Sequence, residues 1–176
     1  MSDLDVAVRA RHEACHAVVL LAHGLPCDSV DILEDGHVGG TTWWRPVREI
    51  VQELTPVQRA NRWAEYIAVA LAGYVGTADD DPNLQTSCVQ DFRDADEFAD
   101  LIIHQGVAPT GYEGSLTRDG LRRHASATAG DLLRRLSRHV DHLAAELVAP
   151  SNKGKLGLHE LNPASGRIYA DLRSSR

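Results

Sequence analysis

The chain has 176 residues, 43% of them hydrophobic, which is enough for about one domain with an apolar core. Its formal net charge of -7 argues against a surface that neutralises phosphates or anionic lipids. We therefore expect neither nucleic-acid nor membrane partners. No apolar stretch approaches the about 18 residues that a membrane span needs, and the acidic opening Met1–Asp5 lacks the basic start of a signal peptide. A single cytoplasmic domain over residues 1–176 is expected.

Aromatic residues make up only 5% of the chain, which favours a core of Leu, Val, Ala and Ile and hence packed helices. The expected fold class is mainly α. Three cysteines, Cys15, Cys27 and Cys88, form an odd set without a C-x-x-C pair. This usage argues against a disulfide framework or a thiolate zinc cluster.

The first predicted helix starts at the pattern Ser2-x-x-Asp5 and runs to His23, because neither Pro nor Gly interrupts it. A small β-hairpin is predicted next, with Asp35-Gly36 as its turn. Its strands are centred on Val30–Ile32 and on the segment from His37 to Trp44.

Capping, proline and glycine signals divide the rest of the chain into helices. These predicted helices run from Thr55-Pro56 to Ala72-Gly73 or one turn further, from about Val89 to His104, from Thr117 to just before Pro150, and from about Leu158 to Leu161. We expect a break in the long third helix of this set near Gly130, and a polar tail after the last one.

Within the first helix, His12-Glu13-Ala14-Cys15-His16 has the form H-E-x-x-H. Four residues advance an α-helix by slightly more than one turn, so both imidazoles project from one face about 6 Å apart and can bind one metal ion. Glu13 is rotated by about 100° from His12, where it can take a proton from water and pass it to a leaving amine. A shuffled chain of this composition would contain the pattern about 0.02 times. The motif therefore predicts a zinc peptidase, with ordinary surface histidines as the alternative.

Two histidines leave a catalytic zinc site one protein ligand short. Acidic runs are commonly solvated loops, and a histidine beside a turn is commonly exposed, so spacing alone does not identify the third ligand. The candidates are His37, Glu65, Asp79–Asp81, Asp91, Asp94 and Glu97.

The segment Ala10–Val19 resembles the peptidase domain of the FtsH family, the membrane-anchored AAA zinc metalloproteases, whose helix reads H-E-A-G-H-A. Gln85–Ala99 also aligns without gaps with that family's T-T-G-A-S-N-D-L-x-x-A-T-E-L-A segment. The resemblance implies an FtsH-peptidase-like helical fold with a small β-hairpin. It also implies that Asp91 is the third Zn²⁺ ligand, beside His12 and His16. Shorter similar segments are Val30–Ile32, Gly40–Thr42, Leu71–Gly73, Leu143–Leu147 and Leu156–Leu161.

From its place in the motif, Glu13 is expected to act as general base and then general acid. We expect Gly39, Gly40, Thr41 and Thr42 to hold an extended peptide by backbone pairing, since glycines let another backbone approach closely. No G-x-x-x-x-G-K-[ST] phosphate loop occurs in the sequence. We expect ATP-independent cleavage of peptides or of unfolded or flexible protein segments, or cooperation with an unfoldase in trans. A homo-oligomer is a further implication of the family.

Three alternatives stay open at this point. A catalytically silent, zinc-stabilised binding or regulatory module would keep the fold, although a purely structural site has no use for Glu13. Cys15 stands where the family has glycine, and it is either a small buried residue or a thiolate near the metal. An arginine face on the last long helix is expected to be solvated, and otherwise would bind an acidic partner or nucleic acid. That face comprises Arg118, Arg122, Arg123, Arg134, Arg135 and Arg138.

Overall fold

The computed structural model describes residues 3–32, 41–43, 53–78 and 88–174. The helices are α1 (Asp3–Ala22), α2 (Pro56–Thr77), α3 (Val89–Gln105), α4 (Arg118–Arg135), α5 (Ser137–Val148) and α6 (Leu158–Ser174). Short strands form β1 (Ser29–Asp31), β2 (Thr41–Trp43) and β3 (Lys155–Gly157). The chain is mainly α, as its composition predicted. Within the described residues, no helix is long and apolar enough to cross a membrane.

Helix α1 is the central helix of the fold. It packs against α2, α5, α6 and α4, and residues 13–21 are all buried. A helix surrounded in this way needs small or apolar side chains on every face, which explains its runs of Ala, Val and Leu. Its N-terminal side begins at Asp3, so the predicted start residue Ser2 lies outside the described residues.

Glycines let the backbone of α2 approach α1 closely. A Cβ atom added at Gly76 would overlap the Sγ atom of Cys15, and one added at Gly73 would overlap both His12 and His16. The two histidine side chains therefore lie directly against the backbone of α2. This contact is what fixes the position of the site relative to the second helix.

The sheet has the strand order β2-β1-β3, and both ladders are antiparallel. Val30 of β1 pairs with Thr42 on one side and with Leu156 on the other. The pairing of β1 with β2 agrees with the predicted hairpin, whereas its predicted turn at Asp35-Gly36 lies outside the described residues. Strand β3 was not predicted, because three residues are too few to leave a periodic pattern.

The two helices that carry the rest of the site begin close to their predicted starts. Thr55 and Gln58 form a capping box in front of α2, with Pro56 in the first turn. Helix α2 continues to Thr77, one turn beyond Gly73. Helix α3 ends at Gln105 and is capped by Gly106, which adopts a left-handed φ of 69° and donates its N–H to the carbonyls of the last turn.

The predicted break near Gly130 is wrong. The long segment breaks instead at Leu136, with φ -111° and ψ 17°, between α4 and α5. Glycine costs about 1 kcal/mol inside a helix relative to alanine. Burial of the neighbouring Ala129 and Leu133 against the core outweighs that cost, so the helix continues through Gly130.

The prediction of a helix that ends at Leu161, followed by a polar tail, is also wrong. Helix α6 runs on to Ser174 despite an internal Pro163. Leu161, Ala164 and Ile168 are all buried on one face of α6. Their burial against the core offsets the hydrogen bond that proline removes from the helix.

Candidate metal centre

His12 and His16 lie one turn apart on the same face of α1. Their Nε2 atoms are 3.1 Å apart, and the rings meet edge to face with centroids 4.7 Å apart. The side chains are 16% and 8% exposed. The pair is therefore largely buried, with its ring nitrogens directed at a common point.

Asp91 lies in the first turn of α3, where the positive end of the helix dipole favours a carboxylate. Its Oδ2 atom is 3.2 Å from Nε2 of His12 and 3.6 Å from Nε2 of His16. The Asp91 side chain is 23% exposed, more than either imidazole, so solvent reaches the cluster from this side. The structure thus brings together the three side chains that the sequence singled out as a ligand set.

The three donor atoms fit one face of a tetrahedral zinc site. Bonds of about 2.0 Å to nitrogen and oxygen place tetrahedral donors about 3.3 Å apart. The observed separations of 3.1, 3.2 and 3.6 Å are close to that value. Two imidazoles and one carboxylate are also a donor set that zinc accepts, whereas calcium and magnesium prefer oxygen alone.

Two backbone features of α2 position the histidines. Nδ1 of His16 lies 2.7 Å from the carbonyl oxygen of Val69 in a buried hydrogen bond. Because a carbonyl only accepts, Nδ1 carries the hydrogen and Nε2 is left to face the other donors. A Cβ atom on Gly73 would stand only 2.5 Å from Nε2 of His12. The absent side chain at Gly73 is therefore a requirement of this arrangement.

Opposite charges hold the centre together when no metal is bound. Burial by itself lowers the pKa of His16. This effect is outweighed by the charge and hydrogen bond of Asp91, the charge of Glu13 and the hydrogen bond to the Val69 carbonyl. Together they raise the pKa of His16 from 6.5 to about 9. Burial also disfavours a charged Asp91, yet the two imidazoles hold its pKa well below the ordinary 3.8. Both shifts favour the charged forms of His16 and Asp91, so a cation that binds here would compete with a proton on His16.

Glu13 places a second carboxylate beside the histidine pair. It is only 4% exposed, and its charge helps to raise the pKa of His16. The same charge also acts on Cys27. The pKa of that thiol is raised to about 12, mainly by burial and in addition by the charges of Asp28 and Glu13. A carboxylate with so little solvent around it is weakly screened and is suited to proton transfer.

The cysteines occupy different surroundings. The Sγ atom of Cys88, a ring nitrogen of His12 and a carboxylate oxygen of Asp91 all lie within 4.8 Å of one another. Cys15 instead packs in the core, with its Sγ atom against Gly76. Cys15 thus fits the interpretation as a small buried residue. Sequence reasoning missed Cys88, although its position one turn before Asp91 was a usable signal.

The other candidate ligands are engaged elsewhere or exposed. Glu65 lies 3.9 Å from Nδ1 of His23 and 2.8 Å from Nη1 of Arg62. Asp94 accepts a hydrogen bond of 2.7 Å from Gln90. Of the remaining predicted residues, Glu97 is exposed, Thr41 and Thr42 belong to β2, and His37, Gly39, Gly40 and Asp79–Asp81 lie outside the described residues.

Several arginines of the predicted positive face form ion pairs with acidic residues. Arg118 lies 2.6 Å from Asp100, and Arg122 lies 3.4 Å from Asp96. Arg138 is paired with Asp171. These pairs neutralise part of the charge that an acidic or nucleic-acid partner would need, which favours the solvated interpretation. The absence of a nucleic-acid partner stays a prediction.

Comparison with protein-family models gives no match, and comparison with curated proteins gives no significant match. The resemblance to the FtsH peptidase domain therefore stays a prediction that rests on the two motifs quoted above. The convergence of His12, His16 and Asp91 is a separate observation, because it depends on tertiary contacts between α1 and α3.

Proposed function

We propose that this protein is a zinc-dependent metallopeptidase with an FtsH-peptidase-like fold. Its substrates would be peptides or unfolded or flexible protein segments, and cleavage would need no ATP hydrolysis within this chain. The observation that carries the proposal is the approach of Asp91 Oδ2 to both imidazoles, at 3.2 and 3.6 Å. The H-E-x-x-H helix supplies two donors, and Asp91 supplies the third that catalytic zinc sites use.

His12, His16 and Asp91 would hold the cation, and Glu13 would move the proton. When bound, zinc supplies Lewis-acid polarisation of the scissile carbonyl and of a water molecule. The Glu13 carboxylate accepts the proton of the attacking water and delivers it to the nitrogen of the leaving amine. Its position next to His12 on α1 supports this role, and its charge acts on the neighbouring His16.

The peptide would bind in extended form beside β2. Among the described strands, β2 lies at one edge of the order β2-β1-β3, and it contacts α1, which carries the histidines. An edge strand offers N–H and C=O groups to an added strand, here from Thr41 and Thr42. The roles of Gly39 and Gly40, an unfoldase partner, a homo-oligomer and a cytoplasmic location stay predictions.

Zinc content and cleavage of an unfolded protein substrate test the proposal in matched variants. We expect Glu13→Gln to keep zinc and to lose cleavage by about 10²- to 10⁴-fold, because an amide cannot take up the proton. Asp91→Asn should weaken zinc binding by at least about tenfold, because even supporting residues of metal ligands cost that much. Glu97→Gln, an exposed change in α3, should alter neither property. Full cleavage by Glu13→Gln, or unchanged zinc affinity in Asp91→Asn, would contradict the proposal.

A catalytically silent, zinc-stabilised binding or regulatory module is the second candidate. It is favoured by the thiol of Cys88 close to the other donors, because a site closed by four protein ligands is of the structural type. Such a module would lose thermal stability when zinc is chelated, yet neither the wild type nor any variant would cleave unfolded substrates. The zinc analysis and the cleavage assay together separate the two candidates.

A further inference from the structure

Cys88 adds a sulfur atom to the donors of the metal centre. It immediately precedes Val89, the first residue of α3, and it is 0% exposed. Its Sγ atom lies within 4.8 Å of the nearest donor atoms of His12 and Asp91. A buried thiol this close to an imidazole and a carboxylate lies within reach of any cation that those two groups bind.

The distances allow direct coordination after a small movement. With a zinc–sulfur bond of about 2.3 Å and a zinc–nitrogen bond of about 2.0 Å, tetrahedral donors are separated by about 3.5 Å. The Sγ atom is at most 4.8 Å from the donor atoms of His12 and Asp91, so a movement of about 1 Å would bring it to this separation from those two groups.

We propose that Cys88 is a fourth protein ligand, which closes the metal centre in its resting state and must withdraw before a substrate can bind. This inference deepens the proposed function and rests on its metal site. A site with four protein donors is of the structural type, whereas three donors with an open position are of the catalytic type. The position of one thiol therefore decides which type the centre presents.

Coordination by Cys88 has two chemical consequences. The thiol must lose its proton to solvent as the metal–sulfur bond forms, since the thiolate is the ligand. The soft sulfur donor also strengthens the preference for zinc or cobalt over magnesium and calcium. Loading the wild type should therefore release about one proton more than loading a variant without this thiol.

The test uses the full chain loaded with cobalt or zinc. Cobalt bound by a thiolate has an intense near-ultraviolet charge-transfer band, so we expect this band in the wild type and its loss in Cys88→Ala. The matched control is Cys27→Ala, which removes another buried thiol whose pKa of about 12 keeps it protonated, and which should retain the band. Zinc affinity should fall by at least about tenfold in Cys88→Ala and stay unchanged in Cys27→Ala.

The outcomes separate this inference from the proposed function. A wild-type cobalt spectrum without the thiolate band would overturn the role of Cys88 while leaving the three-ligand peptidase intact, and it needs no variant to fold. If Cys88 blocks the metal in the resting state, Cys88→Ala should cleave faster than the wild type at saturating zinc. Equal cleavage rates would overturn the proposal that Cys88 must leave the metal before a substrate binds. Metal binding that persists in a His12→Ala, His16→Ala double variant would overturn the proposed function itself.

Discussion

Replacing Gly73 with alanine tests whether the backbone of α2 positions the histidine pair. The added Cβ atom would stand 2.5 Å from Nε2 of His12 and closer still to Nε2 of His16. Real Cβ contacts do not become this short, so either the imidazoles or the two helices must move. His16 cannot swing away freely, because its Nδ1 atom is hydrogen-bonded to Val69 at 2.7 Å.

The expected magnitudes follow from two opposing effects. Alanine in place of glycine inside a helix gains about 0.5–1 kcal/mol, while overpacking of a tight contact costs about 1–3 kcal/mol. The net loss of folding free energy in Gly73→Ala should be about 1–2 kcal/mol. The effect on the metal should be larger, because displaced ligands lower affinity by about 10- to 100-fold.

Zinc affinity is measured by competition with a chromophoric chelator, and stability by urea unfolding of the metal-free protein. Gly130→Ala in α4 is the matched control, because its Cβ atom would meet its nearest neighbours at 3.6 Å, an ordinary contact. The control should gain stability and keep its zinc affinity. Zinc affinity in Gly73→Ala equal to that of the wild type would refute the reasoning, since it would place the binding site away from this contact.

Three further predictions concern stability. In the metal-free protein the folded pKa of His16, about 9, lies above the ordinary 6.5. The protonated His16 therefore stabilises the folded state fully below pH 6.5, and this stabilisation is lost as the pH rises through 9. In urea unfolding, His16→Gln should remove this pH dependence of the unfolding free energy. For His23, burial and the charge of Arg62 lower the pKa from 6.5 to about 4, so stability should fall as the pH drops between these values. An acid-unfolding curve unchanged in His23→Gln would contradict this. Ile168 is 0% exposed, so Ile168→Ala should lower the free energy of unfolding by about 2–5 kcal/mol. The exposed control Arg167→Ala should lower it by about 0.5 kcal/mol or less. Equal losses in the two variants would mean that α6 does not pack against the core.

The parts of the site that sequence could predict are those fixed by one helix. The four-residue spacing of His12 and His16 determines a shared face in any α-helix, so their proximity follows from local geometry alone. Asp91 is different, because its approach depends on how α3 packs. Spacing left it among several acidic candidates, and only the resemblance of its segment to a known family singled it out.

The features that were missed act through the backbone or over long sequence separations. A carbonyl such as that of Val69 leaves no trace in a side-chain pattern, although it fixes which nitrogen of His16 faces His12 and Asp91. Strand β3 exists because Leu156 pairs with Val30 over more than a hundred residues. The full length of α6 was missed because Pro163 weakens the local helical signal, while the burial that compensates for it is tertiary.

The charge state of the metal-free centre bears on which cations can load it. Because Asp91, Glu13 and the Val69 carbonyl raise the pKa of His16, a proton on this imidazole would compete with a metal for the same nitrogen. A successful cation must bind imidazole nitrogen strongly enough to displace that proton, which weakly nitrogen-binding magnesium and calcium do not do. Zinc meets this requirement and also accepts the tetrahedral spacing that the three donors already have. We therefore expect competition with this proton to favour zinc over the hard cations magnesium and calcium.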